Sequence, residues 1–218
     1  MTNARQGLEH TVRTHRASGL GWSLAWGVLG LVSINFLASV YAKYHQVNPE
    51  AYAMFWTRQG WLWTHLGGGV LTIILGPIQF LTRWPKAFPR LHRWTGRIYM
   101  AGVFVGLMGA TGLITTSPAP LEIRAAFAST ALAWMATALT GLVAIYRGLV
   151  ETHRRWMIRN YLVTLAPITF RFMLPAYVAA GFAPSPTAIA AMLALSWLLP
   201  LLGYEAARRA LKLSFFTR

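Results

Sequence analysis

A chain of 218 residues that is 56% hydrophobic and only 11% charged, with a mean hydropathy of +0.45, carries too little charge to clothe a water-soluble domain of its length. Its net charge of +15 does not mark a nucleic-acid binder, because the basic residues are confined to short gaps between apolar runs. With no cysteine, iron–sulfur clusters, disulfides and thiolate chemistry are excluded, and any metal or cofactor falls to histidine, oxygen ligands or methionine.

An apolar helix needs roughly 20 residues to cross the hydrocarbon core, where no water pairs a free peptide group. Six runs qualify: Trp22–Ala42, Trp61–Leu81, Ile98–Ser117, Ala125–Tyr146, Tyr161–Gly181 and Thr187–Ala207. The expected fold is all-α, a polytopic membrane protein with a six-transmembrane-helix bundle over residues 21–210. A polar N-terminal segment, 1–20, precedes it and a basic tail, 211–218, follows. The first run is too long for the core of a signal peptide and reads as a retained anchor. The longest connection, around Lys43 to Gly60, is too short to hold an appended soluble domain.

Lys and Arg favour cytoplasmic connections, so their distribution sets the orientation. Sixteen gather on one side: Arg5, Arg13 and Arg16 before the first span, five from Arg83 to Arg97, four from Arg147 to Arg159, and Arg208, Arg209, Lys212 and Arg218 at the end. Lys43, Arg58 and Arg124 mark the other side, and Arg171 falls inside a span. Both termini are therefore expected in the cytoplasm. Aromatic residues at the span ends, among them Trp22, Trp61, Trp94 and Trp156, read as headgroup anchors.

Three spans present small or polar stripes at helical spacing. The second carries His65, Gly69, Thr72, Gly76 and Gln79. The third, if its helix begins at Pro89, carries His92, Gly96, Tyr99, Gly102, Gly106 and Gly109. On the fifth, His153, Met157, Asn160, Thr164, Pro167, Arg171 and Pro175 follow one another in the same way. Glycines so placed serve either close helix packing or a flat cofactor lying against the helix. His92–Arg97 (HRWTGR) and His153–Arg159 (HRRWMIR) also echo each other, each opening a span on the basic side, sixty-one residues apart. That interval is about one helical hairpin, as for a parallel duplication of spans two and three into four and five. His92 and His153 would then share one depth.

Arg171 stands about eleven residues into the fifth span, roughly 16 Å deep at 1.5 Å per residue. Inserting such a charge costs about 2.5–3.5 kcal/mol, so its guanidinium is expected to face the bundle interior. The five acids, Glu9, Glu50, Glu122, Glu151 and Glu205, fall at or beyond span ends. Asn35, Gln79, an anionic ligand, or carbonyls freed by Pro167 and Pro175 remain as partners.

Of the histidines, His10 and His15 lie in the polar N-terminal segment and read as solvated, and His45 and His65 lie near the outer ends of the first two spans. His92 and His153 lie near the inner ends of the third and fifth, where either alone could simply contact lipid phosphates. As a pair on like-oriented helices they form a bis-imidazole site for a b-type haem, with basic neighbours such as Arg93 and Arg97 to balance propionates. Without the porphyrin, two histidines are too few for a metal ion.

The segments HLGGGVLTIILGPIQF from His65, LHRWTGRIYM from Leu91 and HRRWMIRNYLVTLAPITFRFMLP from His153 together resemble a family of bacterial membrane proteins catalogued as domain of unknown function 2306. The likeness spans about residues 60–180, and its motif positions include His65, Gly76, Pro77, Gln79, His92, Arg93, Gly96, Arg97, His153, Trp156, Arg159, Arg171 and Pro175. The layout is also similar, more weakly, to membrane cytochromes b of the b561 and ferric reductase-like kinds. Those carry four intramembrane histidines as two pairs at different depths, whereas here one inner pair and a looser outer pair, His45 with His65, can be drawn.

The expected function is electron transfer in a bacterial inner membrane. Haem b is ligated by His92 and His153, or by a pair using His65, with Arg93, Arg97, Gln79 and Arg171 completing the cofactor site and a quinone or redox protein as partner beside the membrane lipids. The alternative is a non-redox membrane protein, either a small-solute transporter or a lipid-binding or assembly subunit. No serine or carboxylate can be placed beside a histidine on one helix face, so hydrolytic catalysis has little footing.

Overall fold

The computed structural model describes residues 2–81 and 88–216, with side chains over 23–81 and 88–210. Expectations that fell on Arg5, Arg13, Arg16, Arg83, Lys86 and the last basic residues lie outside the described side chains. Every regular element among the described residues is helical. The chain forms two compact units, Met1–Gln46 and Val47–Arg218.

The first unit is one helix, α1 (Thr2–Tyr44), so the polar N-terminal segment continues the first span without a break. His45 closes it: its Nδ1 donates to the carbonyls of Ala42 at 3.0 Å and Tyr41 at 3.2 Å, and its backbone N–H also donates to Tyr41 at 2.8 Å. Its ring stacks on Tyr41.

The second unit begins with α2 (Pro49–Tyr52), capped by the Asn48 side chain, which accepts the Ala51 N–H at 2.7 Å. A 3-10 turn, Ala53–Arg58, leads into α3 (Gln59–Leu81). Then come α4 (Pro89–Thr115), α5 (Leu121–Tyr146), α6 (Val150–Thr164), α7 (Ala166–Ala179) and α8 (Pro186–Phe216). Pro89 does open α4, as its fixed φ and missing N–H favour at a first helical position.

Five stretches are long and apolar enough to cross a membrane: Ser23–Tyr44, Pro49–Leu81, Pro89–Thr115, Leu121–Tyr146 and Pro186–Ala210. The expected fifth span is not one straight helix. It is the pair α6 and α7, bent by 42° between Thr164 and Ala166. Pro167 explains the break, since its ring would clash with the Val163 carbonyl and it has no N–H to return to it. Proline therefore falls in the first turn of α7, where neither defect matters.

Glycine terminates both α5 and α7 at positive φ, 70° at Gly148 and 87° at Gly181. At each, two N–H groups fold back on the orphan carbonyls of the last turn: Leu149 on Ala144 at 2.9 Å, and Phe182 on Tyr177 at 3.3 Å. The Phe182 and Tyr177 rings also stack, at 5.1 Å.

The most extensive packing among the described helices joins α3 to α4. Glycine permits it: a Cβ on Gly68 would stand 2.6 Å from the Gly106 Cα, and one on Gly109 would stand 2.7 Å from the His65 Cα. Two arginines close the end of α4. Arg58, only 7% exposed, donates to the Leu113 carbonyl at 3.2 Å and to Met54, and Arg124 donates to the Ile114 carbonyl at 3.1 Å. Two of the three cations assigned to the outer side are thus committed to a helix C-terminus, where positive charge is favoured.

Candidate functional site

Helices α4 and α6 run parallel and in register. His92 and His153 each stand at the fourth position of their helix. Seven residues further along both helices, Tyr99 donates its hydroxyl to Asn160 Oδ1 at 2.7 Å. The two pairs share the sixty-one-residue offset, and the Tyr99–Asn160 bond sets equivalent positions of α4 and α6 side by side.

The first level lies at the basic end. His153 Nδ1 donates to the Gly141 carbonyl of α5 at 2.8 Å. A carbonyl can only accept, so Nδ1 carries a proton. On α3, Gln79 Nε2 donates to the His92 carbonyl at 3.1 Å and to Thr95 Oγ1. Each hairpin, α3–α4 and α5–α6, is therefore tied near the histidine that opens its second helix, by the Gln79 side chain in the first and by His153 itself in the second.

The second level is a dry polar cluster. Asn160, fully buried, accepts from Tyr99 and donates through Nδ2 to the Trp134 carbonyl at 2.9 Å and to Thr137 Oγ1 at 3.0 Å. Trp134 Nε1 donates to Thr164 Oγ1 at 2.8 Å. Beside it, Tyr161 donates its hydroxyl to the Ile73 carbonyl at 3.3 Å. That carbonyl is four residues before Pro77, so it is the one the proline leaves without a helical partner. Gly76 admits the ring, since a Cβ there would stand 2.9 Å from the Tyr161 Cζ.

At the third level, His65 Nδ1 donates to the Gly106 carbonyl at 2.9 Å, again fixing the proton on Nδ1. The Trp61 ring covers Gly112 beneath it.

Gln79, His92 and His153 are thus brought together. His65 is fourteen residues from Gln79 on the same helix, roughly 21 Å away, and cannot join them. Arg171 lies eighteen residues beyond His153, past the bend, and is exposed on α7 rather than turned to the interior of this unit. The polar face expected along the whole fifth span stops at the break: Asn160 and Thr164 are buried, whereas Pro167, Arg171 and Pro175 are exposed. Arg93 and Arg97 are exposed too, on the side of α4 turned away from Gly96 and Tyr99, and take no part in the histidine level.

The glycine face of α4 is filled by protein: Gly102 meets Leu71 and Thr72, Gly106 meets Trp134, and Gly109 meets the α3 backbone, so none of these three offers a wall to a flat ligand, whereas Gly69 of α3 has open space beside it. Two imidazoles are the donor type a b-type haem takes, and the His153 ring is oriented by a bond to backbone on α5, the kind of contact that holds a ligating histidine in place. Among the described residues no three histidines or carboxylates converge as a metal site.

Five crossing helices, a sixth bent one and polar groups paired inside define a multi-pass integral membrane protein. The chain belongs to the family described as predicted membrane protein (DUF2306), whose model matches residues 62–203. That range begins on α3 and ends on α8, so it takes in every level described above. No curated protein and no solved structure matches the chain, and the likeness to membrane cytochromes b rests on the sequence pattern alone.

Proposed function

We propose that this chain is a b-type haem protein of the bacterial inner membrane, with both termini in the cytoplasm, in which the imidazoles of His92 and His153 would hold the haem. The reading rests on one observation above all: His92 and His153 stand at equivalent positions at the starts of α4 and α6, which the Tyr99–Asn160 bond joins, and the His153 ring is oriented by the Gly141 carbonyl of α5. Such a haem would supply reversible one-electron chemistry, with a quinone or a redox protein as the exchange partner. The protein's part is to hold the imidazoles. Gly141 orients the His153 ring, Gln79 ties His92 to α3, and the polar cluster of Tyr99 and Asn160 keeps α4 and α6 in register.

A visible spectrum tests this. Protein purified from haem-replete cells should show a Soret band that shifts on dithionite reduction. His92→Ala and His153→Ala should each abolish it, and His65→Ala should leave it. The filled glycine face of α4 favours a second reading, a non-redox membrane protein such as a solute transporter or an assembly subunit, and a colourless preparation would decide for it.

A further inference from the structure

Several arginines at the basic end are paired with carboxylates. Arg154 and Arg155 flank Glu151 at 3.6 and 3.8 Å, while Arg159 and Arg208 share Glu205 at 2.6 and 3.0 Å. Arg90, Arg93 and Arg97, spaced three and four apart along one exposed side of α4, make no ion pair among the described residues. The other two described acids cannot reach them, because Glu50 opens α2 and Glu122 opens α5, both at the far end of α4. Beside the three cations stands Trp94, with 62% of its surface exposed and the Arg97 guanidinium 5.1 Å from its ring centre. An exposed tryptophan at the end of a membrane helix marks headgroup depth.

We propose that Arg90, Arg93 and Arg97, anchored by Trp94, form a binding surface for the phosphate of an anionic phospholipid from the surrounding membrane. Charge complementarity carries the assignment. Three planar, permanently charged guanidinium groups with no carboxylate paired to them among the described residues present paired donors that match phosphate oxygens. The first turn of α4 holds no acid to oppose the ligand, and the free N–H groups there add to the positive field. The surface lies on the side of α4 away from Gly96 and Tyr99, so it stands whether or not the chain binds haem.

The test is thermal unfolding of the full-length protein in a neutral detergent, with added phosphatidylglycerol, phosphatidylcholine or inorganic phosphate. Phosphatidylglycerol should raise the midpoint by about 5 °C, with no comparable rise from phosphatidylcholine. The triple variant Arg90→Gln, Arg93→Gln, Arg97→Gln should lose at least half of that rise, and the triple Arg→Lys variant should retain more of it. Should the triple glutamine variant not fold, Arg93→Gln alone is compared with Arg147→Gln, which removes one charge outside the surface; a larger loss from Arg93→Gln supports the site. Equal loss from the two reduces the effect to net charge and overturns a local site. An equal rise from inorganic phosphate overturns the lipid assignment in favour of a free anion, and an undiminished rise in the triple variant overturns the proposal altogether.

Discussion

Tyr99 and Asn160 are joined by a 2.7 Å hydrogen bond across two helices that begin in equivalent ways, and the sixty-one residues between them repeat the separation of His92 from His153. A duplicated hairpin accounts for this economically. Two copies placed side by side bring like positions together, and in the Tyr99–Asn160 pair these have diverged to a hydroxyl donor and an amide acceptor.

Removing one half of that bond leaves the other unpaired where water is absent. Tyr99→Phe is expected to cost about 1 kcal/mol, within the range for hydrogen bonds inside membranes. Asn160→Leu should cost more, because it also abandons the Trp134 carbonyl and Thr137. In the double variant the losses should fall short of additivity, since both singles break one shared contact. Reversible unfolding in detergent measures all three, and strict additivity would show that the bond contributes nothing.

Gly76, Pro77 and Tyr161 act as one fitting. The proline frees the Ile73 carbonyl, the tyrosine hydroxyl takes it up, and the glycine makes room for the ring. Gly76→Ala is expected to cost about 1–3 kcal/mol through overpacking. Tyr161→Phe should cost less, as it forfeits only the bond to a carbonyl that lacks its helical partner. Combining Gly76→Ala with Tyr161→Ala should recover part of the packing loss, seen as a higher unfolding midpoint than the sum of the single changes gives.

Much of the fold is legible in the sequence because lipid permits so few solutions. Apolar runs of sufficient length give the six crossings, and Pro89 marks the start of α4. The stripe of His92, Gly96 and Tyr99 also identifies the inward face of that helix. Less visible is the role of α5, which reads as apolar nearly all round, so that nothing singles out Trp134, Thr137 and Gly141 as the partners of Asn160 and His153. A helical period carried through Pro167 likewise places Arg171 on the same face as His153, and only the bend separates them. The glycines are ambiguous in sequence because helix backbones and flat ligands ask for the same missing Cβ. In the structure, α3 and Trp134 occupy that space.

Arg159, Glu205 and Arg208 link α6 to α8. The Arg159 guanidinium also lies 4.5 Å from the Trp156 ring centre, which holds it against its own helix. Because the pair is only partly exposed, screening is weak and the contact is worth more than a surface ion pair. Glu205→Gln is expected to lower stability by about 1–2 kcal/mol. Exchanging the charges, Arg159→Glu with Glu205→Arg, should restore only part of the loss, since the cation then leaves Trp156 and Arg208 faces a different neighbour. Unfolding midpoints of the single and exchanged variants check this, and full restoration would mean that Trp156 adds nothing.

Arg58 and Arg124 are drawn to the end of α4 from opposite directions along the chain, one from the turn before α3 and one from the first turn of α5. Arg58 is the more deeply buried and makes three bonds to carbonyls, with the Phe55 ring against its guanidinium. Arg58→Ala should therefore leave the Leu113 and Met54 carbonyls unpaired and cost about 1–3 kcal/mol. The half-buried Arg124 gives up one bond, so Arg124→Ala should cost about 1 kcal/mol or less. Arg58→Lys would keep the charge but cannot reproduce the planar fork that reaches two carbonyls at once, and should recover less than half of the loss. Hydrogen exchange resolved along α4 gives the check: protection should fall near Thr115 in both alanine variants, more so for Arg58→Ala, while the segment around Tyr99 stays protected. Loss of protection along the whole helix would instead assign these arginines to the stability of the entire hairpin, rather than to the closing of its end.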